Sequence, residues 1–136
     1  MIRDKIAAVG KMQDYIKSHI NDPITLHDLA QSCRLSPWHA SRVFKEMTEK
    51  TPFECIRAFR LSQAALKLRG EKVKVIDVAF DFVFDTHEGF TRAFFRQFGI
   101  TPSKYKKHTP PVRLFVPYRF IDLLPEYIEK EDEYGE

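Results

Sequence analysis

Ile2, Ile6, Val9, Met12, Ile16 and Ile20 recur at spacings of three and four, an apolar stripe that predicts one amphipathic helix. The breaker Asn21-Asp22-Pro23 stops it. Thr25 then reads as an N-cap, with Asp28 three residues on in a variant of the capping box, and Leu26, Leu29 and Ala30 face inward. "CRLSP" is a turn. Ser36-Pro37 supplies a cap and an N1 proline for a helix from about Pro37 to Glu49. Thr51-Pro52 opens a long helix running roughly to Arg69, with Phe53, Ile56, Ala64 and Leu68 on one side and Gly70 as its stop.

After Gly70 the pattern begins again. "ITLHDLAQSCRLS" sets against "VKVIDVAFDFVFD" at an offset of 49, which pairs Asp28 with Asp77, Ala30 with Ala79 and Leu35 with Phe84. Past the turn the offset becomes 50, pairing Arg42 with Arg92, Phe44 with Phe94, and Thr51-Pro52 with Thr101-Pro102. A diverged internal repeat of helix, turn, helix and "TP" follows, with one extra residue in the second copy. Val83 falls in the second turn, where glycine is easier. A β-branched residue at positive φ is an outlier. The turn is therefore predicted not to be left-handed at Val83, or to be strained there, with the extra residue providing a different turn. Beyond the repeat, "TPPVRLFVPYRF" alternates and carries β-formers, predicting a short strand around Val112–Val116. The acidic end "PEYIEKEDEYGE" is expected to fray.

Charge divides the chain in the same place. Residues 1–108 hold 19 Lys/Arg against 12 Asp/Glu, and residues 109–136 hold 3 against 7, so a basic body carries an acidic tail within a net charge of +3. A basic body is compatible with nucleic acid, although many such charges simply solvate a surface. The 136 residues and 43% hydrophobic content fit one domain or a compact pair of subdomains. No apolar run of about 18 residues and no basic-flanked leader is present, so neither a membrane partner nor a signal peptide is expected. Cys33 and Cys55 lie 22 apart without a motif and read as cytosolic free thiols. The five histidines are scattered, and no nucleophile stands beside a base. No metal, cofactor or catalytic residue is expected.

A short helix, a tight turn and a second helix, given twice, is the layout of a helix-turn-helix DNA reader. In "SPWHASRVFKEM" the inner face is Ala40, Val43, Phe44 and Met47, which leaves Trp38, His39, Ser41, Arg42 and Lys45 outside. Arginine pairs bidentately with guanine. The blander reading packs Trp38 across the preceding helix and puts Arg42 in a surface ion pair. In "DTHEGFTRAFFRQF" Phe90, Ala93, Phe94 and Phe98 face in, and His87, Glu88, Thr91 and Arg92 face out. Glu88 can accept from cytosine and Thr91 can touch thymine. The alternatives are a solvated helix-start His87 and a dipole-stabilising Glu88. Asp85 or Thr86 caps this helix. Phosphate contacts are assigned to Lys45, Arg57, Arg60, Arg96, Lys104 and Lys106, each of which has solvation as its plain alternative. A continuous helix of about 18 residues spans about 27 Å, against a major-groove repeat of about 34 Å. Two recognition helices on one chain can therefore read successive grooves, with DNA bending taking up any mismatch.

The segments "LAQSCRLSPWHASRVFKEMTEKTPFECIRAFRLSQAALKL" and "VIDVAFDFVFDTHEGFTRAFFRQFGITPSKYKK" resemble the DNA-binding domain of AraC/XylS-type transcription regulators, over about residues 5–108. The resemblance implies an all-α fold: two helix-turn-helix subdomains joined by a long linker helix, homeodomain-like, about seven helices in all. A short irregular or strand-like C-terminal tail is expected to follow. Subdomain one then covers about residues 1–51, the linker helix about 52–69 and subdomain two about 72–108. The resemblance also implies a bacterial, cytoplasmic and nucleoid-associated activator that binds double-stranded DNA and touches RNA polymerase. By position it gives Trp38, Ser41 and Arg42, then His87, Glu88, Thr91 and Arg92, as the base-reading set. Arg34 and Val83 depart from the glycine common at both turns. Some relatives carry an effector-sensing domain after the DNA-binding domain. Residues 109–136 are accordingly expected to be a linker and the truncated start of such a domain, with a small-molecule effector bound outside this chain; the alternative is a full-length small regulator. Two competing functions are a fused DNA-repair methyltransferase, which lacks its four-Cys site here, and a helical protein-interaction module without sequence-specific DNA binding.

Overall fold

The computed structural model describes residues 1–70 and 72–124. Among them the regular structure is all helical: α1 (Ile2–Ser18), α2 (Leu26–Cys33), α3 (Pro37–Thr48), α4 (Pro52–Leu68), α5 (Val75–Asp81), α6 (His87–Phe98), α7 (Pro102–His108) and a short 3-10 helix, Phe120–Leu123. No helix among the described residues is long and apolar enough to cross a membrane.

Local chemistry starts these helices where the sequence places them. Thr25 Oγ1 accepts the Asp28 N–H at 3.1 Å, and Asp28 Oδ2 accepts the Thr25 N–H at 2.9 Å, which completes a capping box on α2. Thr51 and Glu54 form the same reciprocal pair on α4, at 3.1 and 3.2 Å. Ser36, Thr86 and Thr101 cap α3, α6 and α7. Thr86, not Asp85, is therefore the cap of α6.

The chain groups into two compact units, and α4 contributes to both. The first comprises Met1–His19, Ile24–Cys55 and the described residues from Pro117 on. Its core joins Val9, Met12 and Ile16 of α1, Leu29, Ala30 and Cys33 of α2, and Ala40, Val43 and Phe44 of α3. The expected stripe holds from Val9 to Ile16 with Ile6 half-buried, but Ile2 is exposed, and α1 ends at Ser18, so Ile20, though buried, lies past the helix and in the second unit. Met47 is half-buried, and Phe53, expected inside, is about half exposed. Ile121 and Leu124 are buried in this unit too, and a Cβ on Gly10 of α1 would stand 3.0 Å from the Ile121 Cβ.

The second unit comprises Ile20–Pro23 and Ile56–Val116. Its core joins Ile56, Leu61, Ala64, Ala65 and Leu68 of α4 with Val78, Ala79, Phe82, Phe90, Phe94 and Tyr105. Aromatic rings knit α6 and α7: Phe94 meets Phe98 at 4.7 Å and Tyr105 at 5.7 Å between centroids. Phe80 and Phe95 point outward instead, each more than half exposed. Gln97 Nε2 donates to the Ala58 carbonyl at 3.0 Å, and Asn21 Nδ2 to the Asp81 carbonyl at 2.8 Å.

Two further expectations are corrected. No strand forms around Val112–Val116; that stretch is irregular. Its backbone bonds to side chains instead: the Phe115 N–H donates to Ser62 Oγ at 2.7 Å. Further on, in the first unit, Gln13 accepts from the Phe120 N–H and donates to the Tyr118 carbonyl. Second, Val83 is left-handed, with φ 65°, just as Arg34 is, with φ 58°. The two turns share their hydrogen bonds. Leu35 N–H reaches the Ala30 carbonyl at 3.1 Å, and Phe84 N–H reaches the Ala79 carbonyl at 3.0 Å. The extra residue of the second copy, Asp85, comes after this closed turn and before the Thr86 cap, so it cannot reshape the turn. The predicted fraying of "PEYIEKEDEYGE" concerns Pro125–Glu136, which lie outside the described residues.

Candidate nucleic-acid interface

In the first unit, α3 buries Ala40, Val43 and Phe44 and turns the opposite face to solvent. Trp38 is 69% exposed, so it does not pack across the preceding helix. The Arg42 guanidinium lies 5.1 Å from the centre of the Trp38 ring, a cation–π stack that holds both groups at the surface. Trp38, Ser41, Arg42, Lys45 and Glu46 line one open groove. Glu46 is a member the sequence did not single out. Its Oε1 pairs with Lys5 Nζ of α1 at 2.7 Å, and that bond holds the carboxyl below its usual range. Arg42 and Glu46 stand four apart on one helix, a local signal; Lys5 lies 41 residues from Glu46 and gives none.

In the second unit, α6 starts at Thr86, whose Oγ1 accepts the Gly89 N–H at 3.0 Å. A Cβ on Gly89 would itself stand 3.0 Å from that oxygen, so glycine leaves the cap undisturbed. Phe90 and Phe94 are buried, Glu88, Arg92 and Arg96 are exposed, and His87 and Thr91 are half-buried. All the base-reading candidates of this copy thus stand on one helix, but only Arg92 joins the cavity beside it. That cavity, of about 400 Å3, brings Arg92 and Arg96 together with Arg57 and Arg60 of α4.

The phosphate candidates divide. Lys45, Arg57, Arg96 and Lys104 are exposed. Arg60 is half-buried and occupied: Nε donates to the Ile20 carbonyl at 3.0 Å and Nη2 to the Asp22 carbonyl at 2.6 Å. Lys106 Nζ donates to the Val73 carbonyl. These two cations hold the unit's own backbone. Their acceptors lie 33 to 40 residues away, which no local pattern reveals. Cys33 and Cys55 are buried thiols, and desolvation pushes Cys55 up to about 11, which leaves it unreactive at neutral pH.

Two short helix pairs, each with a tight left-handed turn and an amphipathic second helix whose outer face carries arginine, define a tandem helix-turn-helix protein. The family model described as a helix-turn-helix domain matches residues 29–108. The chain belongs to that family, the AraC/XylS-type helix-turn-helix regulators, which bind DNA and are not enzymes. It is 33% identical to the transcriptional regulator Rob of Salmonella typhimurium over 119 residues, 82% of this chain and 41% of that one. The chain thus spans about two-fifths of the length of the Rob relatives it matches. It is 35% identical to the regulatory protein SoxS of Escherichia coli K12 over 92 residues, 68% of this chain and 86% of that one. Among solved structures, the DNA-binding domain of AdpA in complex with a target DNA aligns with a TM-score of 0.68 at 22% identity, covering 73% of this chain and 89% of that one. A probable AraC family regulator from Rhodopseudomonas palustris aligns at 0.70 and 23%, covering 77% and 99%. These likenesses carry the fold.

Proposed function

We propose that this chain is the DNA-reading part of a transcription activator, and that α3 and α6 each enter a major groove of one asymmetric site. The observation that carries the proposal is the outer face of α3, where an exposed tryptophan holds an arginine at the surface. An uncovered tryptophan at this exposure calls for a partner surface. Trp38, Ser41 and Arg42 read one half-site, and His87, Glu88, Thr91 and Arg92 read the other. Lys45, Arg57, Arg96 and Lys104 grip phosphates. Arg60 and Lys106 add fixed charge from within their unit. The reading module covers residues 1–108, with α4 as the linker. Two different copies on one chain call for a site without two-fold symmetry. Contact with RNA polymerase, response to a small-molecule effector through a domain outside this chain, and a cytoplasmic, nucleoid-associated location are proposed on the family likeness alone.

Selection of binding sites from random duplex DNA tests the core of this. A bipartite consensus is expected. Affinity for it should fall about a thousandfold between 50 and 200 mM salt if six or more phosphates are neutralised. Binding that ignores both salt and sequence would instead favour a helical protein-interaction module. Transcription by purified polymerase from the selected site, with and without the chain, tests activation.

A further inference from the structure

The cavity between α4 and α6 in the second unit has an unusual wall. Four guanidiniums, Arg57, Arg60, Arg92 and Arg96, face it against a single carboxylate, Asp85. Arg60 is the informative one. Both of its hydrogen bonds end on backbone carbonyls, which fix the group without neutralising it. Burial presses its pKa down, yet a guanidinium stays protonated at neutral pH. A half-buried cation held only by neutral acceptors leaves its charge available to an anion. Arg92 and Arg96 stand one turn apart on α6, a like-charge pair that weakens an isolated helix. An anion between them and α4 would reverse that penalty. Planar guanidinium forks match the oxygens of a phosphate.

We infer that this cavity seats one phosphodiester of the DNA backbone. Arg57 and Arg96 grip it, and the fixed charge of Arg60 lies behind them. The inference rests on the DNA-reading function proposed above and deepens it. A seated phosphate fixes the register of α6 on the duplex, and from that register Arg92 reaches a base edge. Phosphate contacts position and base contacts specify; this cavity couples the two on neighbouring turns of one helix.

The test uses the full chain and the selected duplex, with each backbone phosphate replaced in turn by an uncharged methylphosphonate. Affinity is read by fluorescence anisotropy at fixed ionic strength, for the wild type, Arg57→Gln and Arg96→Gln. One methylphosphonate position should weaken the wild type about tenfold and leave both variants unaffected. Each variant should already be weaker on every sequence, with a salt slope smaller by about one. Arg57 and Arg96 are exposed, and thermal melts serve as the check that the variants fold; Arg57→Lys, which keeps the charge, should retain the salt slope and lose only part of the affinity. Variants that stay sensitive to every phosphate that matters to the wild type overturn the inference. So do variants that lose sensitivity at two different phosphates. Inorganic phosphate, titrated without DNA and followed by 31P resonance, covers the other source. Micromolar binding that Arg57→Gln abolishes while DNA affinity is unchanged would make this a free-anion site and overturn the backbone assignment. A random-DNA selection that yields no consensus would instead show the DNA-reading function itself to be wrong, and the seat would fall with it.

Discussion

The two copies of the repeat share a skeleton and differ at their helix starts. In the first, reciprocal boxes close α2 and α4, through Thr25 with Asp28 and Thr51 with Glu54. In the second, lysines stand where Thr25 and Glu54 stood. Lys74 is the N-cap of α5 and makes no side-chain cap bond. Lys104 occupies the place of Glu54; Thr101 Oγ1 still accepts its N–H, at 3.4 Å, but an ammonium cannot return the bond. A cation in the first turn also opposes the helix dipole. The second copy has therefore given up local helix stability for positive charge. Places where a sequence breaks a local rule without a folding gain are where function is expected.

The largest expected effect separates the reading helices. Arg42→Ala and Arg92→Ala should each cost about 1–3 kcal/mol on the selected site and relax specificity there. The relaxed positions should fall in different halves of the consensus, one for each copy. Lys104→Ala should weaken specific and random DNA alike. Competition binding against a library of single-base variants reads all three. If the two arginine variants relax the same bases, the copies do not read separately. If all three variants lose specific and random binding equally, the division between reading and gripping is wrong.

Stability tests the caps. Thr25→Ala removes a working cap and should cost about 1 kcal/mol in thermal or urea melts. Lys74→Thr places a cap at the matching position and should gain up to about 1 kcal/mol, with weaker DNA binding if the lysine serves the duplex. No gain from Lys74→Thr would mean that the missing cap is not what distinguishes the second copy. Acid sharpens the contrast. Hydrogen bonds from Thr25 hold Asp28 below its usual value of 3.8, and those from Thr51 hold Glu54 below its usual 4.5. A depressed carboxyl contributes its stability in full above the unfolded value and loses it as pH falls through the folded one. Alanine at 25 keeps the backbone N–H that is the larger cause of the Asp28 depression, so the melting difference between wild type and Thr25→Ala should be constant near neutrality and narrow only slightly below about pH 4.

Helix order, the repeat and the outward faces of α3 and α6 were legible because each rests on local rules. Caps sit at Thr25, Ser36 and Thr101, prolines at the first turns, and apolar residues three and four apart. What escaped the sequence depends on distant partners. "VRLFV" alternates like a strand, but the Phe115 N–H finds Ser62, 53 residues away, and no neighbouring strand. Arg60 and Lys106 look like free cations until Ile20, Asp22 and Val73 present their carbonyls. The stack of Arg42 on Trp38 is a four-residue spacing that could have been anticipated, whereas the Lys5–Glu46 pair could not.

The smallest effect concerns the two turns. Arg34 and Val83 hold the same left-handed geometry with the same pair of closing bonds, yet their side chains differ in kind. Left-handed backbone costs an L-residue about 1–2 kcal/mol, and branching at Cβ places valine toward the upper end. The cost is tolerated because the closed turn satisfies the last carbonyls of α5 and sets Phe84 against Phe90, with centroids 5.2 Å apart. Glycine relieves the strain but adds about 0.5–1 kcal/mol of backbone entropy to be lost on folding. Val83→Gly should thus gain roughly 0.5 kcal/mol net, and Arg34→Gly less, since an unbranched side chain is strained less there. Urea melts of both variants against wild type measure the difference. If Arg34→Gly stabilises as much as Val83→Gly, branching is not what distinguishes the turns. If Val83→Gly destabilises, the packing of the half-buried valine outweighs its strain, and the second turn is held by its side chain rather than in spite of it.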